Sequence, residues 1–384
     1  MIEPRSFSHL KSFPGIHGNP FDVILHRLER IQKIPVFFVF IILATLSLLC
    51  AQLSSALTAI MLAFFLLDWG LLAILPLAGR SFGPEKAVLF LLAILRTPFA
   101  LLPLPVNLVF QTIGTLLVIY AFWIEPFRLK ITRQELVTSK IQSDTHLQLL
   151  HLGDLHIERL TRREHAILNA VEKARPDLIL FSGDILNLSY LADPKALQDA
   201  REFLSRLHAP LGVYLVSGSP AVDLPDLLPR LLEDLPLQWL QNESVLLPLG
   251  DQQLCLIGLT CTHRPYRDAP ILQALSSKSS AEIFTILLYH SPDLAPHAAQ
   301  QHIDLQLSGH THGGQFRLPW LGALFTGSLY GRVFQSGRYQ LEKLTLYITR
   351  GIGLEGAAAP RMRFLCPPEI IFWDIHSAKS NQGV

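Results

Sequence analysis

The sequence has few charged residues, and apolar residues take their place. Only 16% of the residues are charged, whereas 50% are hydrophobic, and about a quarter charged is usual for soluble domains. The net charge of +1 and the absence of a basic stripe with interleaved aromatic residues give no sign of nucleic-acid binding. The apolar excess lies within residues 1–125, and the remainder has the composition of a soluble domain. We therefore predict a membrane part joined to a globular part.

Cysteine is scarce as well. The four cysteines show neither C-x-x-C spacing nor the pattern of a disulfide framework. They are Cys50, Cys255, Cys261 and Cys366. We interpret them as buried small hydrophobic residues in a reducing compartment.

We expect no secretory signal in residues 1–33, because they are polar and mixed and no convincing cleavage site follows them. Apolar stretches come next, and crossing a bilayer takes about 20 such residues. The stretches are 34–53, 56–78, 87–110 and 108–124. Prolines and Arg96 interrupt the third one, which predicts a kinked span or a re-entrant hairpin. Since a charge at mid-membrane is costly, we expect Arg96 near an interface or inside the bundle.

Basic residues flank the apolar region on both sides. Lys33 precedes it, and Arg128, Lys130, Arg133 and Lys140 follow it. This pattern predicts that both flanks lie in the cytoplasm, which requires an even number of spans. We predict four spans within residues 34–125, with two spans plus a re-entrant segment as the alternative.

The predicted chain thus has five parts and sits in the inner (cytoplasmic) membrane, with its globular domain on the cytoplasmic face. A cytoplasmic segment, 1–33, precedes the spans. A linker, 126–144, leads to the globular domain, 145–376, and a tail, 377–384, ends the chain.

From about residue 145, short apolar strands alternate with helical stretches, which is typical of layered α/β architecture. Ligands in such folds bind at the carboxyl ends of strands. Four predicted strand ends carry aspartate or histidine. The residues are Asp154, His156, Asp184, His290, His310 and His312. We expect them to meet at a common rim.

These residue types predict a metal site. An isolated H-x-H is more often a pair of surface histidines, but four strand ends with such residues favour ligands for a divalent transition metal. A structural zinc site usually contains cysteine, and none of these ends has one. Six oxygen and nitrogen ligands fit two metal ions that share a carboxylate.

The order D-x-H, G-D, a lone His and G-H-x-H resembles the calcineurin-like metallophosphoesterases over about residues 145–375. The forms GHTHGGQ and ITRGIG resemble the membrane-anchored branch of that family. The resemblance implies an α/β metallophosphoesterase fold, a β-sandwich flanked by helices, here preceded by an α-helical transmembrane bundle. It implies that Asp154, His156 and His312 hold one metal, that Asp184 bridges, and that His290 and His310 hold the second.

The resemblance further implies a metal-dependent hydrolase with two divalent ions, for which we expect manganese, with iron or zinc as alternatives. The two cations would activate the attacking water and neutralise the charge that develops on the phosphate. Arg350, beside a glycine turn, is a candidate phosphate contact. A solvated surface arginine is the alternative for this residue.

One motif departs from the family. Where the family usually has Gly-Asn-His followed by Asp or Glu, this chain has Gly218, Ser219 and Pro220. The departure removes an asparagine ligand and a histidine that stabilises the leaving group. Either the site is degenerate or the substrate tolerates the loss, and Ser219, Asp223 or a water could fill the vacant position. A pyrophosphate would tolerate it, because a phosphate leaving group depends less on a general acid than an alkoxide does.

The overall plan resembles the chlamydial-type UDP-2,3-diacylglucosamine pyrophosphatases of lipid A biosynthesis. These enzymes release 2,3-diacylglucosamine 1-phosphate (lipid X) and UMP. The resemblance implies two partners, the lipid bilayer and a lipid-linked nucleotide-sugar substrate. The alternatives are a membrane phosphoesterase for another lipid phosphate or phosphodiester, and a catalytically degenerate membrane protein that retains the fold.

Overall fold

The computed structural model describes residues 2–142 and 145–377. An N-terminal helical part precedes a β-sandwich flanked by helices. The predicted tail, 377–384, lies outside the described residues apart from Ser377. The division of the chain into a membrane part and a globular part stays a prediction.

The N-terminal part consists of five α-helices. They are α1 (Pro20–Glu29), α2 (Val36–Cys50), α3 (Ser55–Ala73), α4 (Glu85–Arg96) and α5 (Leu104–Val118). A π-helical turn, Ile119–Ile124, and a 3-10 turn, Glu125–Phe127, continue α5. Many of the large apolar side chains on α2 and α5 are exposed, among them Phe37, Leu49 and Leu116. Helices that are apolar all round suit a membrane environment.

Two helices among the described residues are long and apolar enough to cross a membrane, Ser55–Ala73 and Leu104–Phe127. A third candidate exists only if Pro20–Lys33 and Val36–Cys50, which are bent by 102° at their break, count as one span. The predicted stretch 87–110 is not one helix, because α4 ends at Arg96 and Pro98 and Pro103 follow. This arrangement is nearer to the alternative of two spans plus a re-entrant segment than to four full spans. The number of crossings stays a prediction.

Arg96 lies inside the helical part, one of the two positions expected for it. Its guanidinium donates to both carboxylate oxygens of Asp68, at 2.6 and 2.7 Å. It also donates to Gln111, at 2.7 Å to the backbone oxygen, and to Thr115 Oγ1 at 2.9 Å. The paired charge therefore joins α3, α4 and α5 away from solvent.

The remainder of the described chain holds fourteen strands and helices α6 to α10. The strands are β1 (Lys130–Val137), β2 (His146–Leu152), β3 (Leu178–Phe181), β4 (Val213–Leu215), β5 (Gln238–Trp239), β6 (Glu243–Leu249), β7 (Gln252–Gly258), β8 (Phe284–Leu288), β9 (Leu305–Ser308), β10 (Arg317–Leu318), β11 (Gly322–Ala323), β12 (Gly337–Leu341), β13 (Leu344–Ile348) and β14 (Glu369–His376). The helices are α6 (Arg162–Ala174), α7 (Pro194–Ser205), α8 (Leu228–Leu232), α9 (Pro265–Ser276) and α10 (Ala295–Ala298).

Two mixed sheets of six strands form the sandwich. The strand orders are β1-β14-β2-β3-β4-β5 and β12-β13-β9-β8-β7-β6. Buried leucines of β2 and β3 meet those of β7, β8 and β9 in the core between the sheets. A second core packs α6 and α7 on the first sheet, and a third packs α9 and α10 on the second. The predicted fold of the globular domain, a β-sandwich flanked by helices, is confirmed.

Two segments differ from the sequence-based expectation. The predicted linker, 126–144, contains β1, which pairs in parallel with β14 at the edge of the first sheet. The residues ahead of α1 are not a separate segment, because Phe7 and Phe13 are buried in the core on the outer face of the second sheet. The N-terminal segment, which we define as residues 2–19, therefore packs on the globular domain.

Candidate metal centre

All six predicted ligands follow strands whose carboxyl ends meet at one edge of the sandwich. Asp154 and His156 follow β2, and Asp184 follows β3. His290 follows β8, and both His310 and His312 follow β9. Five of the six are buried and His310 is partly buried. The structure thus brings the predicted residues together at a single site.

One group of possible ligands consists of His156, Asp184 and His312, whose ligand atoms all lie within 4.8 Å of one another. The Nε2 atoms of the two histidines are 3.0 Å apart. His156 Nε2 is also 3.4 Å from Asp184 Oδ2. Two imidazoles and one carboxylate converging at this spacing fit a divalent transition metal.

A neighbouring group consists of Asp154, Asp184 and His290. His290 Nδ1 donates to the backbone oxygen of Ser182 at 2.8 Å, so Nε2, 3.4 Å from Asp184 Oδ2, is the nitrogen that would bind a metal ion after losing its proton. Asp184 belongs to both groups, as a bridging carboxylate would. Asp154 lies with His290 here rather than with the first pair of histidines, so its assignment to one metal stays a prediction.

Several buried polar atoms of the site have no hydrogen-bond partner in the described part of the chain. They include Asp154 Oδ2 and the Nδ1 atoms of His156 and His312. An unpaired buried polar atom costs about 1–3 kcal/mol, and natural proteins rarely leave several of them together. A bound cation would satisfy Asp154 Oδ2, and the ligand atoms that converge in each group fit a metal centre.

The charges of the site also suit metal binding. Burial raises the pKa of Asp184, but His290 and His156 outweigh burial and hold that pKa well below its usual value. Burial lowers the pKa of His290, but Asp184 and then Asp154 outweigh it and raise the pKa to about 9. Burial lowers the pKa of His310 to about 3. The site therefore offers an ionised carboxylate and a neutral imidazole as electron-pair donors near neutral pH.

The backbone at these residues is unusual. Five of the six predicted ligands have positive φ angles, which are uncommon for residues other than glycine. The values are 48° for Asp154, 43° for His156, 59° for Asp184, 72° for His310 and 51° for His312. Strained backbone of this kind is concentrated at functional sites.

Glycines let the strand ends approach one another. A side chain at Gly218 would collide with the carboxylate of Asp184, and one at Gly309 would collide with the carboxylate of Asp154. The structure shows that these glycines make room for the ligand carboxylates themselves.

In the loop that replaces the family's Gly-Asn-His, Ser219 and Asp223 have different contacts. Ser219 Oγ lies 3.1 Å from His290 Nε2, and its backbone N–H donates to Asp184 Oδ1 at 2.6 Å. The carboxylate of Asp223 accepts N–H bonds from Gly218, Asp184 and Ile185 at 2.7, 2.8 and 3.1 Å. Asp223 therefore fixes the loop backbone, whereas Ser219 faces the ligands.

His263 belongs to the site and was not predicted. It forms a third group with His290 and His310, with ligand atoms within 4.8 Å of one another. It is buried and has a φ of 54°. His263 lies in the loop between β7 and α9, and β7 was not recognised in the sequence. If β7 had been predicted, His263 would have given a fifth strand followed by aspartate or histidine, in addition to the four strands identified in the sequence.

Arg350, the candidate phosphate contact, is held in an ion pair. Its Nη2 lies 2.5 Å from Glu369 Oε2, and its backbone N–H donates to Glu369 Oε1 at 3.0 Å. Arg350 is not among the described residues that line the cavity next to the metal centre. Its contact with phosphate stays a prediction that the structure does not support.

A cavity of about 610 Å³ opens beside the ligands. Its polar wall contains Asp184, Ser219, His310 and His312. Apolar side chains form much of the remaining wall, and they include Phe13, Phe21, Phe316, Phe325 and Met362. The site can therefore receive a molecule that is polar at one end and apolar at the other.

Comparison with known proteins is consistent with this geometry. Residues 147–314 match the family described as calcineurin-like phosphoesterase. The metallophosphoesterase YkuE of Bacillus subtilis is 28% identical over 67% of this chain and 89% of its own length. The UDP-2,3-diacylglucosamine pyrophosphatase LpxG of Chlamydia trachomatis is 25% identical over 66% of this chain and 91% of its own. The phosphodiesterase YaeI of Escherichia coli is 26% identical over 67% and 92%.

This family uses a dinuclear metal site, and the aspartate and histidine groups fit one. The chain therefore carries a calcineurin-like metallophosphoesterase domain and is a metal-dependent phosphoester hydrolase.

Proposed function

We propose that this protein hydrolyses the pyrophosphate of UDP-2,3-diacylglucosamine at a membrane, giving 2,3-diacylglucosamine 1-phosphate and UMP. The observation that carries the proposal is the cavity of about 610 Å³, which has metal ligands in one wall and apolar side chains in the rest. A diphosphate with an acylated sugar needs this combination. The relatives named LpxG, at 25% identity, are UDP-2,3-diacylglucosamine pyrophosphatases.

The apolar wall of the cavity leads to exposed apolar side chains. Phe21 of α1 stacks on Phe325 with ring centroids 5.4 Å apart. Next to Phe325, the hairpin of β10 and β11 exposes Trp320, Leu321 and Leu324. Exposed apolar patches next to a ligand site mark contacts with proteins or membranes. In this proposal the patch faces the bilayer, from which the acyl chains enter the cavity.

The six predicted ligands would hold two divalent ions, which we propose to be manganese. Such a pair polarises the phosphate, activates the attacking water and stabilises the charge of the in-line displacement. Asp184 contributes the carboxylate common to two of the ligand groups. The hydrogen bond from His290 Nδ1 to the backbone oxygen of Ser182 orients the ring, because a partner on the nitrogen away from the metal fixes the tautomer of a ligating histidine.

The altered motif, Gly218-Ser219-Pro220, favours a pyrophosphate substrate over an alkyl phosphate ester. Pro220 has no side-chain proton donor, so it cannot protonate a leaving group. A leaving phosphate is much less basic than an alkoxide and requires little general-acid assistance. The cleavage of an anhydride is thus the reaction that this site can best support without the missing histidine.

The proposed location is the inner membrane, with the metal centre on the cytoplasmic side. The two long apolar helices and the basic residues on both flanks of the helical part support it. A substrate with two acyl chains would reach the site from the cytoplasmic leaflet.

The test uses the full chain purified in detergent with Mn²⁺. We expect UMP release from UDP-2,3-diacylglucosamine and no release by the Asp154→Ala variant. Bis(p-nitrophenyl) phosphate serves as the generic phosphodiester in a parallel assay. Hydrolysis of that compound without UMP release would contradict the proposed substrate and favour a phosphodiesterase activity, as in the phosphodiesterase YaeI.

A further inference from the structure

Two histidine side chains contact the hydroxyl of Ser219. The Nε2 atoms of His263 and His290 each lie 3.1 Å from Ser219 Oγ. Asp184 Oδ2 is 3.4 Å from Ser219 Oγ. The third histidine, His310, packs against His263 with ring centroids 4.2 Å apart, and possible ligand atoms of the three histidines lie within 4.8 Å of one another. Three imidazoles therefore lie close together beside the shared carboxylate.

The hydrogen bonds around two of these histidines prepare them as ligands. His290 donates from Nδ1 to the backbone oxygen of Ser182 at 2.8 Å. His310 Nε2 lies 3.0 Å from the backbone oxygen of Gly327. Because a carbonyl oxygen only accepts hydrogen bonds, Nε2 of His310 must carry the proton. In each imidazole the other nitrogen is therefore the one that would bind a metal ion, and a bound cation would displace any proton there.

We propose that His263 is a ligand of the second metal ion, together with His290, His310 and the shared Asp184. His263 fills the position left vacant by the replacement of asparagine with Ser219, whose hydroxyl is a short and weakly basic group. A neutral imidazole is a strong ligand for manganese, iron or zinc. The second site therefore has a full set of nitrogen and oxygen donors, although the chain lacks the Gly-Asn-His motif.

The N-terminal segment holds His263 in this position. A Cβ atom at Gly15 would come within 2.5 Å of His263 Nε2, so the backbone of the segment lies directly against the imidazole. The backbone oxygen of Gly15 accepts the N–H of Ala221 at 3.2 Å. Phe13 lies under the guanidinium of Arg264, the residue after His263, at 5.7 Å from the ring centroid.

The first test measures Mn²⁺ binding by equilibrium dialysis on the full chain in detergent. We expect two Mn²⁺ per wild-type chain. His263→Ala should bind one with unchanged affinity and the other at least about tenfold more weakly. Electron paramagnetic resonance should show a coupled pair in the wild type and an isolated six-line Mn²⁺ signal in the variant. His297→Ala, which removes a partly buried histidine outside the site, should match the wild type.

A second test leaves His263 in place. Gly15 and Gly18 have nearly the same φ, 78° and 77°, but a Cβ atom at Gly18 meets nothing within 4 Å. Both alanine variants therefore carry the same backbone strain, and only Gly15→Ala presses on the imidazole. We expect Gly15→Ala to weaken binding of the second Mn²⁺ and Gly18→Ala to leave it unchanged.

The two tests can overturn the proposal whether or not His263→Ala folds. Two Mn²⁺ bound with wild-type affinity by His263→Ala would exclude His263 as a ligand. If that variant does not fold, equal Mn²⁺ binding by Gly15→Ala and the wild type would contradict the proposal. Loss of hydrolysis with both ions retained would also contradict it and assign His263 to the substrate. The proposal rests on the function as a metal-dependent hydrolase. Because both tests measure Mn²⁺ binding, their outcome does not depend on which substrate the protein cleaves.

Discussion

His151 is a buried histidine outside the metal centre. It lies on β2, with Nε2 3.0 Å from Ser182 Oγ, and its Nδ1 has no hydrogen-bond partner in the described ranges. Tyr347 packs edge-on against the ring with centroids 6.4 Å apart. Burial lowers the pKa of His151 to about 3, so the imidazole stays neutral in the folded state.

This histidine should make folding sensitive to acid. Its unfolded pKa is about 6.5, so below that pH the unfolded chain takes up a proton that the folded chain excludes. The stabilisation is complete above pH 6.5 and is lost as the pH falls towards 3. At pH 5 the loss is about 2 kcal/mol.

We expect the free energy of unfolding to fall less between pH 7 and pH 5 in His151→Gln than in the wild type. The measurement is denaturant unfolding in detergent with a chelator present, so that metal binding does not contribute. Identical pH dependence in the two proteins would contradict the buried neutral state of His151.

At the scale of single residues, the sequence was a good guide to which aspartate and histidine side chains lie together. The six predicted residues meet because each follows an apolar strand closely, and strand ends at one edge of a sandwich are neighbours. Arg350 and His263 show the limit of this reasoning. The partner of Arg350, Glu369, is distant in sequence, and the position of His263 depends on β7 and on the N-terminal segment.

Among the elements, α3, α4 and α5 are joined by a buried ion pair. Asp68 on α3 is fully buried and its only charged partner among the described residues is Arg96. The guanidinium also reaches Gln111 and Thr115 on α5. Removing one member of a buried pair leaves a charge without compensation.

Arg96→Met should therefore destabilise the helical part by about 3–5 kcal/mol. The double variant Asp68→Leu with Arg96→Met should recover most of that loss, because no buried charge remains. Thermal unfolding in detergent, followed by the circular dichroism of the helices, compares the variants. A double variant no more stable than Arg96→Met would show that the ion pair is not the source of the effect.

Strands that are rich in buried apolar residues could be predicted from the sequence, whereas the edge strands β1 and β6 could not. The strands β3 and β13 are fully buried and rich in apolar residues, and β2 has leucine at four of its seven positions, which makes all three recognisable in the sequence. In contrast, β1 alternates exposed and partly buried residues at a sheet edge, and β6 contains Pro248. Such strands form because neighbouring strands pair with them, which local sequence does not specify.

In the whole molecule, the helical part is attached to the loop that carries the first ligands. Glu158, two residues after His156, accepts the backbone N–H of Phe82 at 3.0 Å and pairs with Arg361 at 2.7 Å. Tyr190 donates to the backbone oxygen of Phe82 at 2.5 Å. Met362 and Phe364 pack against the core of the helices. The helical part thus contacts segments that lie next to the predicted ligands, through residues far apart in sequence.

The metal content of the full chain tests the account most directly. Asp184 belongs to two of the three ligand groups, so its carboxylate should be required for both ions. After loading with Mn²⁺ and gel filtration in detergent, elemental analysis should find two ions per wild-type chain. It should find fewer than one in Asp184→Ala. A wild-type chain that retains at most one ion, or an Asp184→Ala variant that retains two, would contradict the dinuclear centre.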